Sequence, residues 1–240
     1  MRQSSAALRH HIIMMIALTR FSAAAFLAAT LVAVSVHATP TGLNNIPTAD
    51  TTGARTLVLQ GFSTFGENRG PAHFAGFKTG LDPLGQRVEW GLDSRIGPGS
   101  AGPAVLQFKY AVQLQAAGPT LALGVANLAL TKGDRDEAGQ PFSYLVFTHD
   151  FGGMRAHAGY GLQNRNNAAF LGLDKTFKVF ARDLMLRADL IQIDNRNQWL
   201  GSAGFLYLLH KNWALESWVS QPTERGAASF TVKLNFIVKF

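Results

Sequence analysis

Residues 230 to 240 read FTVKLNFIVKF, and this stretch decides the fold. Phe230, Val232, Leu234, Phe236, Val238 and Phe240 are apolar, while Thr231, Lys233, Asn235 and Lys239 between them are polar; Ile237 is the one exception. Alternation with period two marks a strand with one apolar and one polar face. A soluble sandwich strand runs roughly five or six residues, whereas a membrane-spanning strand needs roughly 9 to 11. About eleven alternating residues favour the membrane.

The same dyad recurs upstream. Leu106, Phe108, Tyr110, Val112 and Leu114 alternate with Gln107, Lys109, Ala111 and Gln113, and Val88, Trp90 and Leu92 alternate with Glu89, Gly91 and Asp93. Ala156, Ala158, Tyr160 and Leu162 alternate with Arg155, His157, Gly159 and Gly161; Met185 and Ile191 blur an otherwise similar run around Arg187 and Asp189. Runs between turn signals give about twelve strands: 56–66, 73–82, 87–96, 104–115, 120–130, 142–150, 154–163, 168–176, 183–194, 199–209, 214–220 and 229–240. Twelve is even, as a bacterial single-chain barrel requires. The runs at 56–66, 73–82, 142–150 and 214–220 are the weaker ones, so ten strands is the alternative count. Odd connections read mostly longer than even ones, a barrel pattern that puts both chain ends in the periplasm. A soluble two-sheet sandwich shares the alternation but not this ordering. Residues 110 to 131 carry no charge, but Gly118-Pro119 interrupts them, so they read as a hairpin rather than a spanning helix.

An amphipathic strand ending in Phe240 resembles the terminal strand of Gram-negative outer-membrane β-barrels. The resemblance implies that Phe236, Val238 and Phe240 form the assembly signal, and that the partners are the barrel-assembly machinery, outer-membrane lipid and lipopolysaccharide. It also implies a porin-like architecture: all-β, a single closed antiparallel transmembrane β-barrel.

The rest of the chain fits. It has 240 residues with 24 glycines, only 15% charged residues and no cysteine, which excludes disulfides and thiolate sites. Arg2, Arg9 and Arg20 precede the apolar stretch from Phe21 to Val36, and Val36-His37-Ala38 offers a small-residue cleavage site, the order of a secretory signal peptide. An uncleaved anchor is the alternative. The expected organisation is a signal peptide at 1–38, a periplasmic segment at 39–55 and the barrel at 56–240. Without the leader, 19 basic residues face 15 acidic ones, a net charge of +4 with no basic cluster, so no nucleic-acid partner is expected. Thr39 to Asp50, TPTGLNNIPTAD, resembles a motif of uncharacterised outer-membrane barrels, some similar to exopolysaccharide-associated ones; it implies no activity. This segment is expected to lie outside the barrel.

Function then rests on the inward face. The expected pore-lining residues are Glu89, Asp93, Arg95, Gln107, Lys109, Gln113, Arg155, His157, Arg187, Asp189, Glu216, Lys233 and Asn235. Such a face suits a narrow diffusion channel for small polar or anionic solutes, since ten to twelve strands leave a small lumen at most. The bland alternative is that these charges pair and plug the lumen, giving a structural or polysaccharide-export-associated barrel. A third reading, a lipid-modifying enzyme, needs a constellation around Ser143, His149, Asp150 and His157; His149 and Asp150 point to opposite faces, so no catalytic residue is assigned. His73 and His210 are isolated, and neither a metal site nor a cofactor is expected. The loop at 132–137 reads as a solvated outer loop rather than a calcium site. Trp90, Tyr110, Tyr144, Tyr160, Trp199, Tyr207, Trp213 and Trp218 suit interfacial girdles, with sugar stacking in the lumen as the alternative for Trp218. Oligomeric state is not legible.

Overall fold

The computed structural model describes residues 42–66, 69–83, 87–97, 104–129, 141–163, 166–192, 198–223 and 226–240. The expected leader and the 132–137 loop lie outside them. The strands are β1 (Thr56–Gly66), β2 (Arg69–Leu81), β3 (Arg87–Ile96), β4 (Ala104–Gln113), β5 (Thr120–Ala129), β6 (Phe142–Asp150), β7 (Met154–Gln163), β8 (Asn166–Val179), β9 (Arg182–Gln192), β10 (Trp199–His210), β11 (Trp213–Pro222) and β12 (Ser229–Lys239). Each pairs antiparallel with its sequence neighbours, and β1 closes on β12 from Thr56↔Lys239 to Gly66↔Ser229. The barrel has twelve strands rather than ten, and the four weaker segments are all strands. Closure leaves no unpaired edge, which a sheet embedded in hydrocarbon requires.

Differences from the sequence reading are confined mainly to strand ends. β2 begins four residues early, at Arg69, and β8 runs from Asn166 to Val179, so the loop-length contrast is weaker than expected. Short connections at one end have local causes. Asp150 Oδ1 accepts from Gly152 N and Gly153 N at 2.8 Å each, and both glycines hold positive φ, which the absent Cβ permits. Phe180 and Ala181 join β8 to β9 with φ of 49° and 61°, as a two-residue hairpin of matching twist needs.

The pleat sorts the side chains. Leu59, Leu123, Tyr160, Leu171, Leu186, Val219 and Leu234 point outward and are exposed, forming an apolar outer face suited to lipid. The inward face is not uniformly polar. Val58, Leu206, Ala214 and Ile237 form one apolar cluster, with Met185 and Leu208 against it. Leu43, Ile46, Ala49, Ala111, Ala122, Tyr144, Val146 and Phe170 form another, with Phe142 and Ile191 beside it. These clusters explain the exceptions: Ile237, Met185 and Ile191 break the alternation because they fill the lumen. β6 reads weakly because both its faces are apolar.

Candidate functional site: the barrel lumen

Inward glycines face large inward residues on neighbouring strands. A Cβ on Gly159 would lie 2.2 Å from the Phe170 ring, one on Gly124 2.3 Å from the Tyr144 ring, and one on Gly204 2.4 Å from Trp218 Cβ. Gly204 also pairs with Arg187 on β9, while Glu216 on β11 pairs with Leu206, so the arginine reaches diagonally across β10 beside the glycine. Arg187 Nη2 donates to Glu216 Oε2 at 2.7 Å, Asn235 Nδ2 donates to Oε1 at 2.7 Å, and Lys233 Nζ lies 3.5 Å from the same carboxylate. The partner of Arg187 is thus two strands away. Gly76 does the same for Gln60, which donates across β2 to Asp93, a carboxylate that also accepts from Gln107.

A third group lies at the turn end of β6 to β8. His157 sits between Thr148 Oγ1, 2.8 Å from Nδ1, and Asp174 Oδ2, 2.9 Å from Nε2. Arg155 donates to both oxygens of Asp174 and to Asp50. Hydroxyl, imidazole and carboxylate stand in line, yet the His157 and Asp174 side chains are only 0% and 1% exposed, and Thr148 Oγ1 accepts Ala49 N at 2.9 Å. The group ties β6, β7 and β8 to Ala49 and Asp50.

The segment expected outside the barrel is instead inside it. Residues 42–54 cross the bore from the β2–β3 wall to the β9–β11 wall. Ala54 bridges Gly80, and Thr52 donates from N and Oγ1 to Glu89 Oε2 at 2.6 and 2.8 Å. Lys109 Nζ donates to the carbonyls of Thr48 and Asp50 at 2.8 and 2.9 Å, and Asp50 pairs with Arg155 at 3.0 Å. Asn44 N donates to Asp189 Oδ2 at 2.8 Å, and Asn45 Nδ2 donates to Ser202 and Ser220. The wall makes room with two glycines. A Cβ at Gly80 would lie 1.9 Å from Thr52 O, and one at Gly172 would lie 2.4 Å from Leu43 Cδ1 and 2.6 Å from Ile46 Cδ1. The reason for the correction is complementarity: inward carboxylates and ammonium groups need partners, and this segment's backbone and amides supply them.

A cavity of about 420 Å³ remains beside the segment, lined by its residues 42–47 and by Lys78, Glu89, Gln107, Lys109, Tyr144, Glu216, Trp218 and Lys233 among others. Lys78 is 8% exposed and makes no ion pair among the described residues. It was missed in the sequence because β2 alternates poorly around Gly76 and Gly80. Tyr144 and Trp218, grouped with the girdle aromatics, line this cavity instead.

The expected pore-lining residues divide in two. Glu89, Asp93, Gln107, Lys109, Arg155, His157, Arg187, Asp189, Glu216, Lys233 and Asn235 are in the lumen, while Arg95 and Gln113 are exposed at strand ends. Phe236 rests on Trp213, ring centroids 4.7 Å apart, Val238 pairs across the seam with Leu57, and Phe240 N donates to Arg55 O at 3.0 Å. Ser143, His149 and Asp150 do not converge; His149 stacks edge-on against Phe151. His73 Nδ1 lies 2.8 Å from Ser63 Oγ. Among the described residues no group of three or more His, Asp and Glu could hold a metal ion.

No family model matches the sequence, and no curated protein matches it. Solved structures do. The KdgM porin aligns with a TM-score of 0.53 at 10% identity, covering 75% of this chain and 98% of its own. The KdgM porin in complex with disordered oligogalacturonate aligns with a TM-score of 0.53 at 9% identity and the same coverages. The NanC porin aligns with a TM-score of 0.51 at 12% identity, again over 75% and 98%. At these identities the likeness is one of fold.

Proposed function

We propose that the chain is a narrow outer-membrane diffusion channel for small anionic solutes. The observation that carries this is the cavity, where Lys78, Lys109 and Lys233 meet Glu89 and Glu216 and the buried Lys78 ammonium has no carboxylate partner among the described residues. A cation held in a low-dielectric wall attracts a passing anion more strongly than one in bulk water. The likeness in fold to porins supports the reading, and one of them was solved with an oligogalacturonate. The apolar outer face suits outer-membrane lipid and lipopolysaccharide. The start of β1 and the end of β12 lie at the barrel end whose connections are mostly shorter, in keeping with periplasmic termini and with delivery by the barrel-assembly machinery. No enzymatic role is proposed.

A second reading, a non-conducting structural barrel, is favoured by the segment across the bore. Single-channel recording of refolded protein in a planar bilayer under a salt gradient separates the two. The channel reading expects discrete steps with a reversal potential displaced toward the anion. Steps without anion preference would overturn it, as would silence both from folded protein and from the segment-release variant described next.

A further inference from the structure

We propose that residues 42–54 are a built-in gate, a tethered strap that closes the lumen when docked and opens it when released. The proposal rests on the channel reading and deepens it by assigning its regulation. Three observations carry it.

Among the described residues the strap joins the wall covalently at one place, where it runs into β1 at Thr56. Arg55, with φ of 54°, forms the bend between them. Beyond that bend its only strand-like contact is the single Ala54↔Gly80 bridge. It makes one hydrogen bond within its own backbone, Leu43 N to Ile46 O at 3.0 Å. Its other local hydrogen bonds join Thr48 and Asp50, from Thr48 Oγ1 to Asp50 Oδ2 at 3.1 Å and from Asp50 N to Thr48 Oγ1 at 3.4 Å.

The wall beneath it is ready for water. Glu89, Lys109, Thr148, Arg155, Asp189, Ser202 and Ser220 are the groups that hold the strap, and each can exchange its bond to the strap for one to water. Apolar anchorage is limited to Leu43, Ile46 and Ala49 on the patch around Ala111, Ala122, Val146 and Phe170.

The wall is also shaped for the docked state. Gly80 and Gly172 leave space on opposite sides of the bore that the strap alone fills, so docking has one register. Together these features describe a reversible closure: a specific seat, solvable contacts and a single hinge.

The test uses the full chain in planar bilayers with two variants that leave the barrel register alone. Leu43→Asp/Ile46→Asp places two carboxylates where the strap meets its apolar patch and should raise open probability by about tenfold or more. Ala49→Cys/Thr148→Cys introduces the chain's only two cysteines at positions joined by the Ala49 N to Thr148 Oγ1 bond. Oxidation should abolish the steps and a reductant should restore them. Heat-dependent gel mobility reports that each variant is folded. Release and wild-type proteins that conduct alike, or an oxidised clamp that conducts fully, would overturn the gate and leave the channel standing. Silence from a folded release variant would overturn both.

Discussion

Glu216 is the residue whose removal should cost the barrel most. Its side chain is 2% exposed, and it holds Arg187 at 2.7 Å, Asn235 at 2.7 Å and Lys233 at 3.5 Å. Changing Glu216→Ala leaves the Arg187 guanidinium, with a side chain 0% exposed, without a counter-charge. Breaking one side of a buried pair costs about 3–5 kcal/mol. Two of the lost bonds are charge-assisted, each worth about 1.5–3 kcal/mol, which together give about 3–6 kcal/mol and overlap that range. Glu216→Leu combined with Arg187→Leu removes both charges of the closer pair and should restore part of the loss, because burying the pair itself carries a desolvation cost while Lys233 still lacks its carboxylate. Unfolding in urea from lipid vesicles, followed by tryptophan fluorescence, measures all three; Trp218 lies two residues from Glu216. A loss under about 1 kcal/mol for Glu216→Ala, or a double variant as unstable as the sum of its singles, would refute the reasoning.

Three further outcomes are expected. Leu171→Arg places a charge on the outer face of β8, where leucine is 55% exposed, and should cost about 2–4 kcal/mol in vesicles; an unchanged unfolding midpoint would place that face outside the hydrocarbon. Ala181→Gly relieves a φ of 61° and should stabilise the barrel by about 1 kcal/mol in the same assay, whereas a loss would show that the turn is not strained. Removing Phe240 deletes the Phe240 N to Arg55 O bond beside the β1–β12 seam and should slow membrane assembly, read as the yield of heat-modifiable protein; normal yield would remove this residue from the assembly signal.

The barrel was legible because the outer face obeys one rule along every strand. Leu145, Phe147, Tyr160 and Leu171 are apolar for the same reason, contact with lipid, and period two carries that reason into the sequence. The lumen follows no such rule. Residues 42–54, GLNNIPTADTTGA, have no period, and their bonds reach from Thr52 to Glu89, 37 residues on, and from Asn45 to Ser220, 175 residues on. Its traces were present as apparent faults: an apolar inner face on β6, Met185, Ile191, and inward glycines with no turn to make. Each fault marks a place where the wall meets something other than water. Arg187 was placed inward, but its partner was not legible, because its bond to Glu216 crosses β10 diagonally and follows no nearest-neighbour rule.

The glycines opposite large lumen side chains carry a consequence for inheritance. Gly159 with Phe170 and Gly124 with Tyr144 each share a fixed volume between two strands, so neither member can grow unless the other shrinks. Random drift through such a pair passes first through the smaller state, a transient void, and only then to a swapped arrangement. Among descendants of this chain the two positions should therefore vary as one character, large and small exchanging places. Solvent-filled stretches of the wall should vary site by site, so a record of joint substitution would trace which parts of the bore are packed.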